Sequence, residues 1–451
     1  MTIRTFTKDF RRGLGSAIIE LKNNPERDKY LDIVMRSCLK DIAYDTQAEG
    51  TKGYYLYTAI KMFTNYDFLL DKISEKFNKK LFWRLSEQLF DILCCFSDDG
   101  YIIAGEALEN KYKWLKKHLP IMKKYDPCYC EREQFERFMI RKLDGGLNGF
   151  KQCINDMGEM IIKCGNDGCL CYDWFLSEAE SEIGKDIFTY LENSEEEKVT
   201  AFYHAYKLNK KQKSERNTCK NSKTEAVTIE QLINRANELA ATNNPFRIFP
   251  LSRYFAKQAS INELKILAEI ALQEPSDFIK SSLLLTFRDV DFPLDIKLLL
   301  QYMFSNSELL REVVILVFSR IKDKRIHAFV PQLFKNNNIE DALSLLESNF
   351  EIGDEALIRK YIICSKKITH KMIISIINIY KNNKSKSCSD ILLHFYKNTE
   401  CTHCRCNIVE TMIKNNVISQ SILEECNYDS YKETRKLVEK KTNIYQEAIL
   451  I

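Results

Sequence analysis

Three stretches in the C-terminal half of the chain share one layout at one interval. INELKILAEIALQE followed by SDFIKSSLLLTFRD, PLDIKLLLQYMFS followed by SELLREVVILVFSRI, and RIHAFVPQLFKN followed by IEDALSLLESNF each read as a pair of amphipathic helices. The first helices are expected to begin near Ile261, Pro293 and Arg325, an offset of 32 residues each time, and Arg288 and Arg320 keep the same spacing near the ends of second helices. A fixed two-helix period constrains the fold severely. One pair cannot bury its apolar face alone, so it stacks on its neighbours. Only 14 Gly and 8 Pro in 451 residues agree with a helical chain. The expected fold class is therefore all-α, an α-solenoid of stacked antiparallel helix pairs.

Helical periodicity also runs through the N-terminal half. In SEQLFDILCCFSDDG, Leu89, Phe90, Leu93 and Cys94 fall on one face before SDDG stops the helix, and IIAGEALENKYKWLKKHL supplies its partner. Further pairs can be drawn from Asp28 to Leu69 and from Glu131 to Ile162, the latter turning at Asp144, Gly145 and Gly146. Arg12-Gly13-Leu14-Gly15-Ser16 follows no strand and reads as a helix-start turn. The pattern lapses in KLNKKQKSERNTCKNSK, so residues 207–225 are expected to be a basic flexible linker between an N-terminal lobe of diverged repeats, 1–206, and a C-terminal lobe, 226–451. Thr228 and Gln231 form a capping-box pattern that restarts the helices after it.

LLREVVILVFSRIKDKRIHAFVPQLF resembles HEAT repeats: Arg311 stands early in a second helix, Asp323-Lys324-Arg325 in the turn, and Pro331 within the next first helix. LDGGLNGFKQCINDMGEMI and ECNYDSYKETRKLVEK are similar to segments of bacterial HEAT-repeat proteins of unassigned activity. The resemblance implies a HEAT-like solenoid with an extended binding surface and carries over no catalytic residue. Arg311 near Asp323 is expected either to tie successive turns together or to face solvent.

The net charge of +4 is small and unevenly placed. Residues 1–200 carry 30 basic and 34 acidic side chains, 201–225 carry 7 and 2, and the remainder 30 and 27, so the excess lies in the expected linker. No chain-wide basic character demands nucleic acid. The first residues lack the apolar core of a secretory signal and no run reaches ~18 apolar residues, which points to the cytoplasm, to reduced cysteines and to no membrane partner. No phosphate-binding glycine loop occurs, and none of the six His sits in a catalytic motif. His204 is expected to be half-buried on a helix. The chain is accordingly expected not to be an enzyme and to need no cofactor, zinc excepted as an alternative.

Zinc enters through three cysteine clusters: Cys128-x-Cys130, Cys164-x4-Cys169-x-Cys171, and Cys401-x2-Cys404-x-Cys406 around His403. Tetrahedral zinc wants about four thiolate or imidazole ligands, and short spacings supply two at a time. The first two clusters lack the common two-residue gap. In the third, Cys401, Cys404, Cys406 and His403 are candidate metal ligands, with Cys388, His394 or Cys426 as completing groups. If a helix begins at Thr402, Cys401 sits at its positive end, which suits a reactive thiol; plain helix packing and capping is the remaining reading.

The expected function is a non-enzymatic scaffold or adaptor that grips a protein partner on its concave face. Arg288 and Arg320 are candidate contact residues, and Trp174, in the aromatic run Cys171–Phe175, is a third if its indole is exposed. The alternatives are a nucleic-acid binder and a zinc- or thiol-dependent regulator. For nucleic acid, Arg247, Arg253, Lys257 and Lys265 would supply phosphate contacts, with Phe246, Phe249, Tyr254 and Phe255 as stacking surfaces unless they are core. Oligomeric state leaves no signal in the sequence.

Overall fold

The computed structural model describes residues 1–79, 81–119, 129–164, 172–220, 226–241, 244–363 and 368–449. All regular structure among them is helical, and no helix among them is long and apolar enough to cross a membrane. The chain divides into two compact units. One comprises Met1–Ser222 with Glu424–Arg435, the other Lys223–Leu423 with Lys436–Ile451.

In the second unit Ile261–Gln273 packs against Asp277–Leu284 and Val330–Lys335 against Ile339–Asn349, as the periodicity predicts. Ile261–Gln273 forms as expected, opened by a Ser260–Glu263 capping box, and buries the stripe Leu264, Leu267, Ala268 and Ala271. The next two first helices are broken. Pro293 is followed only by the short Lys297–Leu300 helix, and the stretch from Arg325 splits into Lys324–His327 and Val330–Lys335. Pro331 explains the second break: it lacks an N–H and its ring would strike a preceding carbonyl, so a new helix starts around it. The second helices, Asp277–Leu284, Glu308–Phe318, Ile339–Asn349, His370–Asn382 and Thr402–Lys414, each pack against the next. Neighbours on both sides explain why Val313, Val314, Ile315, Val317 and Phe318 are all buried although they circle the helix.

Polar contacts in this unit recur at similar intervals along the chain. The carboxamide of Asn349 accepts from the Asp323 N–H at 2.8 Å and donates to the carbonyls of Ile321 at 2.8 Å and Leu345 at 3.0 Å. Asn415 repeats the arrangement, accepting from the Ser385 N–H at 2.8 Å and donating to the carbonyls of Tyr380 and Thr411, both at 2.9 Å. A helix leaves its last carbonyls unpaired, and here a side chain at the end of the next second helix takes up the Tyr380 carbonyl of His370–Asn382 and the Ile321 carbonyl just beyond Glu308–Phe318. Ion pairs follow the same interval, Arg325 with Asp295 at 2.8 Å and Arg359 with Asp390 at 2.6 Å. Asp323 pairs with Arg325 at 2.8 Å, whereas Arg311 donates to the Ser305 carbonyl at 3.3 Å; the turn is tied by Arg325 instead.

The first unit uses the same chemistry. The buried Gln88 amide donates to the carbonyls of Ser37, Cys38 and Lys40, and the buried Lys52 ammonium to those of Arg11 and Ile42. Asp156 collects Tyr112, Lys116 at 2.5 Å and Lys142 at 3.2 Å, and this surrounding cationic shell keeps its carboxyl below the usual range despite burial, which alone would raise it. The turn expected at 144–146 is present between the helices Tyr129–Lys142 and Gly146–Cys164. Cys94 and Cys95 are only half-buried, and desolvation pushes both thiols up, to about 12 and about 11. His204 is exposed, because Phe202 and Ala205 take the buried face of its helix.

Helix Glu197–Lys220 runs through most of the stretch expected as a flexible linker. Lys, Gln, Arg and Glu are good helix formers, so a segment lacking an apolar stripe still continues a helix already begun. Residues 221–225 lie outside the described residues. The capping box at Thr228 and Gln231 forms as the sequence predicts.

Gly13, at φ +76°, ends the first helix, and the next begins at Gly15. Gly15 is needed for a reason the turn pattern does not contain. A Cβ there would stand 1.8 Å from the Glu425 carbonyl oxygen, because residues 424–435 pack on the N-terminal helices. The Ser430 N–H donates to the Gly13 carbonyl at 2.9 Å, Lys22 donates to the Tyr428 hydroxyl at 3.1 Å, and the Arg435 guanidinium lies 4.5 Å over the Tyr54 ring.

Two outcomes follow from these contacts. Asn415→Ala strands a backbone donor and a backbone acceptor and should lower stability by about 2–3 kcal/mol, measurable by denaturant unfolding of the full chain. Gly15→Ala should cost about 1–3 kcal/mol and speed proteolytic cleavage within 424–435.

Candidate functional site

Two features of the second unit adjoin at His370. The first is a groove of about 500 Å3, open to solvent, lined by Arg288, Asp289, Leu316, Ser319, Arg320, Ser344, Glu347, His370, Lys371, Ile374, Ser375 and Asn378. Both arginines singled out in the sequence therefore face one groove. Arg320 Nη1 donates to the Arg288 carbonyl at 2.9 Å, across one repeat, and the exposed Arg288 guanidinium lies 4.4 Å over the Phe249 ring. Glu347 is held from the next helix by the Ser375 hydroxyl at 2.6 Å and the Asn378 amide at 2.9 Å. Exposed Ile374 adds an apolar contact between these polar groups.

The second feature gathers Cys401, Cys404 and His370, whose ligand atoms all lie within 4.8 Å of one another. Cys401 is the N-cap of Thr402–Lys414, and its sulfur accepts the Cys404 N–H at 3.4 Å. One turn of helix puts residues 401 and 404 on one face, both nearly buried at 4% and 3% exposure. His370 is the first residue of the preceding second helix, whose N-cap Thr369 accepts the Met372 N–H and donates to Glu340 at 2.6 Å. Its Nδ1 stands 3.4 Å from the Cys404 sulfur.

His403 and Cys406 do not join this group. At 100° per residue they point well away from the Cys401–Cys404 face, and His403 is exposed. His370 completes the set, 34 residues before Cys404; the signal available for it was the repeat interval rather than closeness in sequence. Cys128, Cys169 and Cys171 lie outside the described residues, as do the side chains of Cys130 and Cys164.

Trp174 is 45% exposed at the start of Tyr172–Ile183, while the adjacent Phe175 is buried. Among the residues weighed for nucleic-acid stacking, Phe255 is core and Phe249 is covered by Arg288. Tyr254 and Phe246 are exposed, Tyr254 contrary to the core placement its helical spacing allows. Arg253 pairs with Asp289 at 3.5 Å.

Comparison of the chain with protein-family models, with curated proteins and with solved structures returned no match.

The helices that carry His370 and Cys404 are also joined at their other ends. Glu410 accepts from Lys381 at 2.9 Å and from Lys414 at 2.8 Å. Lys414 first, then Lys381, holds its carboxyl below the usual carboxylate range. Folding lowers this pKa, so the stabilisation is complete above the unfolded value of about 4.3 and is lost as pH falls through the folded value. With both partners partly exposed, it is worth at most about 1 kcal/mol. Glu410→Gln should lower stability by up to that amount at neutral pH, and the gap to wild type should close as pH falls through the lowered folded value, as read from melting curves across pH.

Proposed function

We propose that this chain is a non-enzymatic scaffold, a HEAT-like α-solenoid over its C-terminal repeats, whose groove grips a protein partner. The observation that carries the reading is the groove between Arg288 and Asn378, to which successive repeats contribute one wall after another. Helix pairs at a 32-residue offset and polar ties at nearly the same interval support the solenoid. The mixture of charge in the groove favours protein over nucleic acid. Arg288, Arg320 and Lys371 are interleaved with Asp289 and Glu347, whereas a phosphate backbone is best met by cations without carboxylates between them. Arg288 and Arg320 are the proposed contact residues; Trp174 offers a further exposed aromatic anchor in the other unit.

The test is affinity purification of the native full chain from its own cells beside the double variant Arg288→Glu, Arg320→Glu, with circular dichroism as the fold control. A protein partner that co-purifies with the wild type should be lost or weakened at least about tenfold with the variant. An unchanged partner set would sink the proposal. Recovery of nucleic acid, bound with a steep dependence on salt, would replace it with the nucleic-acid reading.

A further inference from the structure

We propose that Cys401, Cys404 and His370 form a zinc-binding site that staples two successive second helices together. The proposal is independent of the groove's occupant, because it rests on the ligand set alone.

The donors suit a borderline-soft d10 cation. Two thiolates and one imidazole neutralise a divalent charge, and thiolate with imidazole is the ligand chemistry zinc prefers over the hard cations. Spacing agrees as well. With zinc–sulfur bonds of about 2.3 Å and zinc–nitrogen bonds of about 2.0 Å, tetrahedral ligand atoms stand roughly 3.5–3.8 Å apart. The Cys404 sulfur is 3.4 Å from His370 Nδ1 and 3.8 Å from Nε2, and all three ligand atoms lie within 4.8 Å. The exposed ring can turn about χ2 to point one nitrogen at the ion, while the buried sulfurs stay fixed.

Partial positive charge lies beside both sulfurs. The Cys404 N–H already donates to the Cys401 sulfur at 3.4 Å, and both sulfurs sit in the first turn of a helix, where the backbone dipole stabilises negative charge. On binding, each thiol releases its proton to solvent as its sulfur takes the metal, so affinity falls with acidification. Three protein ligands leave one tetrahedral position, which a water molecule would fill. His370 also lines the groove, so the ion would fix a side chain at the groove's edge.

Two explanations compete: a Cys404 S–H hydrogen bond to His370 with no metal, and a Cys401–Cys404 disulfide. The experiment uses the reduced full chain, stripped with a chelator and titrated with Zn2+ alone and with Co2+ as a spectroscopic probe. Wild type is expected to show the visible bands of tetrahedral Co2+ and thiolate-to-cobalt charge transfer in the near ultraviolet. Cys404→Ser should lose about one equivalent of tightly held zinc relative to wild type. His370→Gln, an exposed substitution at a helix start, should weaken Co2+ binding at least about tenfold, whereas Cys406→Ser and His403→Gln should leave it unchanged. Cysteines elsewhere in the chain do not confuse the result, because the readout is the decrement in each variant. Should Cys404→Ser fail to fold, His370→Gln decides. Wild-type metal content and spectra in His370→Gln, or a Cys401–Cys404 disulfide found by peptide mapping of the native protein, would overturn the proposal.

Discussion

Each second helix in this chain packs against the next, and backbone groups caught between them need hydrogen-bond partners. Side-chain amides supply two such sets in the second unit. Asn349 and Asn415 do so with one carboxamide each, which offers an acceptor to a backbone N–H and donors to two carbonyls. The geometry fixes both the distance and the rotation of one helix against the next. Apolar packing alone, being non-directional, would leave both free. Gln88 and Lys52 solve the same problem in the first unit with longer side chains.

Helix class and pairing were legible because apolar periodicity and the 32-residue offset are local signals. The second helices followed most closely, since their buried runs tolerate little else. First helices were over-read at Pro293 and Arg325, where proline and turn residues outweigh the apolar pattern. The lysine-rich stretch beyond Lys207 misled in the opposite direction, because absence of an apolar stripe signals exposure rather than loss of helix. At the cysteine cluster, C-x-x-C spacing marked Cys401 and Cys404, but proximity in sequence pointed to His403. The structure supplied His370 because it opens the helix that packs beside Thr402–Lys414, which brings its ring to the Cys404 sulfur across 34 positions of sequence.

Groove and cysteine cluster share a cause. The cysteine cluster joins the first turns of two neighbouring helices, and the groove joins the ends of Leu285–Arg288 and Glu308–Phe318 to the exposed face of His370–Asn382, so each surface is composite. The groove's polar groups of both signs are partly committed to neighbouring helices: Glu347 holds Ser375 and Asn378, Asp289 pairs with Arg253, Lys371 pairs with Asp341, and Arg320 donates to the Arg288 carbonyl. In the proposed scaffold, such fixed alternation of donors and acceptors would serve recognition of a protein surface.

The close approach of Gly15 to Glu425 bears on how the chain is made. Lys22 and Tyr428, bonded in the first unit, are separated by 406 positions along the chain. A ribosome delivers the N-terminal helices long before the segment that covers them, and domains generally fold in the order in which they emerge. The N-terminal helices must therefore wait with the Gly13–Gly15 surface uncovered while the whole second unit is synthesised, and loop closure over that separation carries an entropic cost. Final consolidation of the first unit is thus a late event, set by translation time rather than by its own helix propensities.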